Sequence, residues 1–160
     1  MFTDIRSKRV IFLAHCILNQ NAISDGTAGY PAAHADVVRA LLDAQVGIVQ
    51  MPCPELCCLG LDRGDPRGAE RPVVVENTRI RAALGTSEAA AKLDRLVDHV
   101  MLQIQEYRRH GFAIVGIVGS TAPPAAAWTP PPTTTGSCPV RASFWPGSPP
   151  PWTPPVSPFP

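Results

Sequence analysis

Three short apolar runs of strand length divide the chain, at residues 9–14 (RVIFLA), 46–51 (VGIVQM) and 112–118 (FAIVGIV). Runs that stay apolar, without strict alternation, mark strands covered on both faces, as in a parallel sheet. Between the first two, residues 34–45 carry Val37, Val38, Leu41 and Leu42 on one helical face. Residues 9–51 therefore read as a strand–helix–strand unit, which favours a parallel pair with a right-handed crossover. Leu93, Leu96, Val97, Val100, Met101, Ile104 and Tyr107 recur at helical spacing, so the longest helix is expected over 88–110. Thr86 or Ser87 suits its N-cap, Glu88 its first turn, and Arg108, Arg109 and His110 its last, with Gly111 ending it. A shorter helix is expected over 77–84. Residues 19–29, rich in Asn, Ser, Asp and Gly, and residues 59–71, charged and glycine-containing, read as loops. The expected fold class is α/β: a small open, mainly parallel sheet with flanking helices, Rossmann-like in three layers.

Composition changes this picture at one place. Of the 19 prolines, 14 lie in residues 121–160, with all three tryptophans and no acid. The expected organisation is an incomplete α/β domain over 1–120 and a proline-rich stretch over 121–160 that lacks the apolar pattern of a core and is expected to be disordered. A net charge of +1 gives no reason to expect nucleic acid or an anionic membrane as partner. With no secretory leader and no apolar run long enough to span a bilayer, the chain reads as cytoplasmic. Five cysteines in that setting speak for metal or redox chemistry over disulfides.

The chemistry collects in residues 50–63 (QMPCPELCCLGLDR), which hold Cys53, Cys57 and Cys58. Pro52 and Pro54 end the preceding strand, since proline cannot continue a central ladder. Cys53 is thereby expected just past a strand's C-terminal end, where open parallel sheets bind their ligands. His15 and Cys16 follow the first strand in the same way. Glu55 lies two residues beyond Cys53. An inert buried thiol and a site thiol both fit Cys53. A loop histidine and a ligand both fit His15. A zinc site on Cys53, Cys57 and Cys58 lacks a second well-placed Cys/His pair. Cys138 falls in the proline-rich stretch, with no expected strand to position it.

Cys16-Ile17-Leu18-Asn19 with Asp25-Gly26, followed by Cys53-Pro54-Glu55 with Gly60-Leu61-Asp62-Arg63, resembles the thiouracil desulfurase-like family. The sequences His-Cys-Ile-Leu-Asn and Gln-Met-Pro-Cys-Pro-Glu-Leu resemble its desulfidase branch most. The resemblance covers residues 9–120. It implies an α/β domain holding a [4Fe–4S] cluster on three cysteines, two of them matching Cys16 and Cys53. The third belongs to a Ser-Pro-Ser-Cys-Gly segment directly after the third strand, and this chain has none there. The implied substrate is a small thiolated molecule of thiocarbonyl type. Three thiolates leave one iron an open position for its sulfur. Glu55 is the first candidate acid or base and Asp25 the second. As read, the chain is expected to hold no stable cluster and to be inactive. The alternative is a non-catalytic α/β module whose proline-rich tail binds a partner. The oligomeric state is not legible.

The missing segment has a further expectation attached to it. In the frame that starts on the third base of each codon, the junctions from Thr121 to Pro130 permit Gly-Ser-Pro-Ser-Cys-Gly-Val-Asp-Thr. The cysteine falls at the Ala125–Ala126 junction. The Asp is fixed, because Trp128 has one codon and its last base with the first two of Thr129 spells GAC. A reading-frame error near Ser120 accounts for both the lost segment and the abrupt proline, alanine and tryptophan bias. A genuine proline-rich tail is the competing account.

Overall fold

The computed structural model describes residues 2–119. The proline-rich stretch, its expected disorder and Cys138 lie outside the described residues. The first apolar run forms β1 (Arg9–Leu13), the second β2 (Gly47–Gln50) and the third β3 (Ala113–Val118). All three are parallel, in the order β2-β1-β3. The expected small open parallel sheet is therefore what the chain forms. β1 is central and its side chains are the most buried: Phe12 and Leu13 are fully enclosed.

The helices cover both faces. On one, Ile11 and Leu13 pack with Ile17 and Val46, and Val37 and Leu41 of α2 (Ala35–Asp43) close over them. Phe12 points the other way, as strand alternation requires. Its ring meets Tyr107 of α5 (Ser87–Arg109) edge to face, with centroids 6.3 Å apart. Burying a ring of this size stabilises the fold by about 2–3 kcal/mol. The Thr86 hydroxyl accepts from the Ala89 amide and caps α5, as its sequence predicts.

Three local features differ from the sequence expectation. Prolines 52 and 54 do end β2, but Pro54 is also the first residue of a new helix, α3 (Pro54–Leu59). Proline suits that position because its missing N–H would have no intrahelical partner there. The second helix of this region, α4, runs over Val73–Leu84, four residues earlier than expected. Three consecutive valines argue against helix by propensity. Pro72 overrides them: its carbonyl accepts the amides of Val75 and Glu76, and the valine side chains remain half exposed. Finally, β3 carries a bulge. Val10 pairs with Ile114 and Ile11 with Gly116, so Val115 is the extra residue.

Cys16 lies within α1 (His15–Leu18), a single turn directly after β1. No helix among the described residues is long and apolar enough to cross a membrane.

Candidate functional site

Register places the two expected thiols on one edge. Leu13 pairs with Gln50 across β1 and β2, and with Val118 across β1 and β3. The ladder runs one bond further on each side, from Met51 N–H to the Leu13 carbonyl at 2.7 Å and from Ala14 N–H to the Val118 carbonyl at 2.8 Å. Cys16 and Cys53 each lie three residues beyond a paired position, Leu13 and Gln50. Both sit at the C-terminal ends of adjacent parallel strands, and both are half-buried.

Each thiol has a distinct local setting. Cys53 is the N-cap of α3, and its Sγ accepts the Leu56 amide at 3.5 Å. Cys16 is the second residue of α1, and its carbonyl accepts the Gln20 side chain at 2.6 Å. His15 approaches Asn19 at 3.5 Å through Nε2. Cys58 is buried, and its thiol donates to the Ala89 carbonyl of α5 at 3.7 Å. Cys57 is exposed on α3. Partial desolvation, and then the neighbouring Cys53 and Cys58 thiols, push its thiol up, so it stands protonated at neutral pH.

An iron–sulfur cluster on three cysteines fits this donor set only in part. Among the described residues, no three His, Cys, Asp or Glu side chains stand together as a metal-holding group. The sequence resemblance expects Cys16 and Cys53 as two of three cluster thiols, and Cys58 is committed to the α3–α5 contact. The described donors are therefore one thiolate short of the set that such a cluster needs.

The two candidate acids meet through a serine. Oε2 of Glu55, on the first turn of α3, accepts the Ser24 hydroxyl at 3.3 Å. Asp25 is the next residue, exposed, with its carboxylate accepting the Gly26 amide at 2.8 Å. Ser24 and Asp25 line a cavity of about 260 Å³, together with Asp62, Arg63, Asp65 and Glu76. Glu55 is not among the residues lining it, but it contacts two that do, Ser24 and Arg63. A wider recess of about 510 Å³, lined by Arg6, Lys8, Arg9 and Tyr107 among others, opens at the strands' N-terminal ends, the edge away from both thiols.

Arg63 closes the Gly60-Leu61-Asp62-Arg63 segment of the sequence resemblance without a role there; in the fold it is the cation that organises the wall of the smaller cavity. Arg63 is 3% exposed. Its Nε–H donates to Glu55 Oε2 at 2.9 Å. Its terminal nitrogens donate to the carbonyls of Gly60 and Leu61 at 3.0 Å each and of Ala22 at 2.5 Å. One side chain thus joins the loop after α1, the start of α3 and its own turn. The Arg63 carbonyl accepts Arg79 of α4 at 2.9 Å. Arg79 and Arg71 both hold Glu76, at 2.6 and 3.0 Å, and Arg71 holds Asp65 at 2.5 Å. The Arg79 guanidinium is the main reason that the Glu76 carboxyl lies below its ordinary value, and the Arg67 amide, then Arg71, lower Asp65. Gly68 packs beside them: a Cβ there would come within 2.6 Å of Glu76 Oε1, so the Glu76 side chain would have to shift. The one sequence signal for this network is the placing of Arg71 and Arg79 around Glu76, the latter at helical spacing.

No protein-family model matches the chain. No solved structure matches it. The uncharacterized protein MJ0003 of the archaeon Methanocaldococcus jannaschii is 31% identical over 119 residues, which cover 73% of this chain and 68% of the archaeal protein. With that identity over most of both proteins, the chain belongs to the family of MJ0003.

Proposed function

We propose that the chain carries the scaffold of an iron–sulfur desulfidase of the thiouracil desulfurase-like type, which removes sulfur from a small thiocarbonyl compound. The observation that supports this reading is the common register of Cys16 and Cys53 beyond Leu13 and Gln50. Two thiols at the C-terminal edge of one parallel sheet are suited to hold one group between them, because that edge is where such sheets bind ligands. β3 flanks β1 on the other side and ends at Val118, in register with Leu13. A segment leaving β3 starts from that same edge. The chain as read supplies no cysteine directly after it, so in this reading it is inactive as it stands.

In the intact site a cluster would offer the substrate sulfur an open metal position. The chain's own contribution is acid–base chemistry from Glu55 and Asp25 beside the cavity. Glu55 is anchored to a buried arginine, so it presents a carboxylate in a fixed place. Asp25 stands on the exposed rim of the cavity.

The test is sulfide release from a thiouracil-type compound by the chain with its frame restored after Ser120, reconstituted anaerobically. Release that depends on Glu55 supports the reading. Reconstituted protein that leaves a panel of thiocarbonyl compounds unchanged contradicts it.

A further inference from the structure

Glu55 is held through one oxygen. Oε2 takes both the Arg63 Nε–H, at 2.9 Å, and the Ser24 hydroxyl, at 3.3 Å. Oε1 has no hydrogen-bond partner among the described residues. The Glu55 side chain is 39% exposed and that of Arg63 is 3% exposed. The open oxygen therefore belongs to a group with access to solvent, and the clamp to one without it.

The guanidinium is a planar fork whose donors point in fixed directions. Three backbone carbonyls, of Ala22, Gly60 and Leu61, fix its plane. Once they do, the Nε–H has a single direction left, and Glu55 lies along it. The turn carrying Arg63 is itself constrained. Its φ is +55°, a conformation that side-chain-bearing residues adopt rarely. Gly60 and Gly64 at φ +88° and +76° bracket it, and Arg79 holds its carbonyl. A simple counter-ion for a half-exposed carboxylate requires none of this.

We propose that Arg63 is a positioning residue for Glu55: with Ser24 it clamps Oε2, fixes the carboxylate plane, and leaves Oε1 as the oxygen open to a ligand. Because Ser24 also lines the cavity shared with Asp25, the clamp sets the orientation of Glu55 relative to that wall. The value of this for acid–base catalysis rests on the desulfidase reading. The clamp itself does not, and it is measurable in the cluster-free chain.

The experiment uses the 160-residue chain and labels its carboxylates with a water-soluble carbodiimide and an amine, read site by site by mass spectrometry. Exposed Asp43 is the internal reference. In the wild type, Glu55 labels several-fold more slowly than Asp43. Arg63→Met brings the two rates together. Arg63→Lys keeps a cation beside Glu55 but cannot serve all three carbonyls, so it lowers the melting temperature and yet recovers most of the protection. A purely structural arginine predicts instead that the Lys and Met variants label alike. Should Arg63→Met fail to fold, Glu55→Ala serves, since it removes the acceptor of the Arg63 Nε–H. Exchange of the Arg63 Nε–H, followed by NMR, then quickens several-fold while the β1 amides keep their protection. Equal labelling of Glu55 and Asp43 in the wild type, equal labelling in the two Arg63 variants, or unchanged Nε–H exchange in Glu55→Ala overturns the proposal. Failure to form a cluster in any version of the chain counts against the desulfidase reading and leaves this result standing.

Discussion

Cys16 and Cys53 occupy equivalent places on neighbouring strands: each follows, by three residues, one member of the pair Leu13 and Gln50. The equivalence comes from backbone hydrogen bonding, not from local sequence. A one-residue slip between β1 and β2 would turn every β2 side chain to the other face, so the packing of Ile48 of β2 against the core protects this relationship. The edge that carries the thiols is thus specified by the core.

The first prediction concerns the isolated 160-residue chain. Under anaerobic reconstitution with iron and sulfide it does not retain a stoichiometric [4Fe–4S] centre on dilution and desalting. Cys16 and Cys53 leave two irons without protein thiolates, and a cluster ordinarily takes four. Iron and sulfide analysis after gel filtration checks this, and a stoichiometric centre contradicts it.

Removing the Arg63 clamp lowers stability. Arg63→Met leaves the carbonyls of Ala22, Gly60 and Leu61 without their donor. At about 1 kcal/mol for each lost bond, the expected loss is about 3 kcal/mol. Urea titration measures it. A change below about 0.5 kcal/mol means that water replaces the guanidinium without cost.

Acid weakens the α4 network. Asp65 and Glu76 lie below their ordinary values of 3.8 and 4.5 in the folded chain. A carboxyl depressed on folding adds stability that is complete above its unfolded value and is lost as pH falls through the folded one. Their contribution is therefore constant from pH 7 to pH 5 and declines below about 4.5. Glu76→Gln flattens part of this decline. Denaturant midpoints at pH 7, 5 and 3.5 check the sign. A contribution that grows toward acid pH contradicts it.

Gly68 and Glu76 are coupled. A methyl group at position 68 would stand 2.6 Å from Glu76 Oε1, and Glu76 cannot swing away without leaving Arg71 and Arg79. Gly68→Ala is expected to cost about 1–3 kcal/mol. In the Glu76→Ala background most of that cost disappears, a non-additivity that a double-mutant cycle reads directly. Additive effects would show that the glycine is needed for its backbone alone.

Much of the fold was legible in residue order. Continuous apolar runs at β1, β2 and β3 predicted parallel strands, and the Leu93–Tyr107 spacing predicted α5. The start of α4 was not legible, because Val73, Val74 and Val75 read as strand or loop by propensity while Pro72 turns them into a helix. Nor was α3, since Pro54 signals an ending and a beginning with the same chemistry. At the candidate site, Cys16, Cys53 and Glu55 followed from strand ends and nearness in sequence. Arg63 entered only as the end of the Gly60-Leu61-Asp62-Arg63 segment; its role was not legible, because its partners Ala22, Glu55 and Arg79 are brought to it by packing. The bulge at Val115 was likewise invisible, since a strand's sequence does not reveal which residue its neighbour skips.

β3 is an edge strand among the described residues, with Val115 42% exposed at its bulge. An uncovered apolar edge favours association. The 160-residue chain is expected to melt broadly and to self-associate as concentration rises. A sharp, reversible and concentration-independent melt of the monomer contradicts this.

The most direct test follows from the DNA at Ser120. If the bases there encode cysteine across the Ala125–Ala126 junction, the frame-restored chain is reconstituted anaerobically and its visible spectrum recorded. The account predicts a broad cluster absorption that is lost in Cys16→Ala, in Cys53→Ala and in the recovered cysteine's alanine variant, and kept in Cys57→Ser. A frame that forbids cysteine at that junction, or an absorption that survives loss of both Cys16 and Cys53, contradicts it.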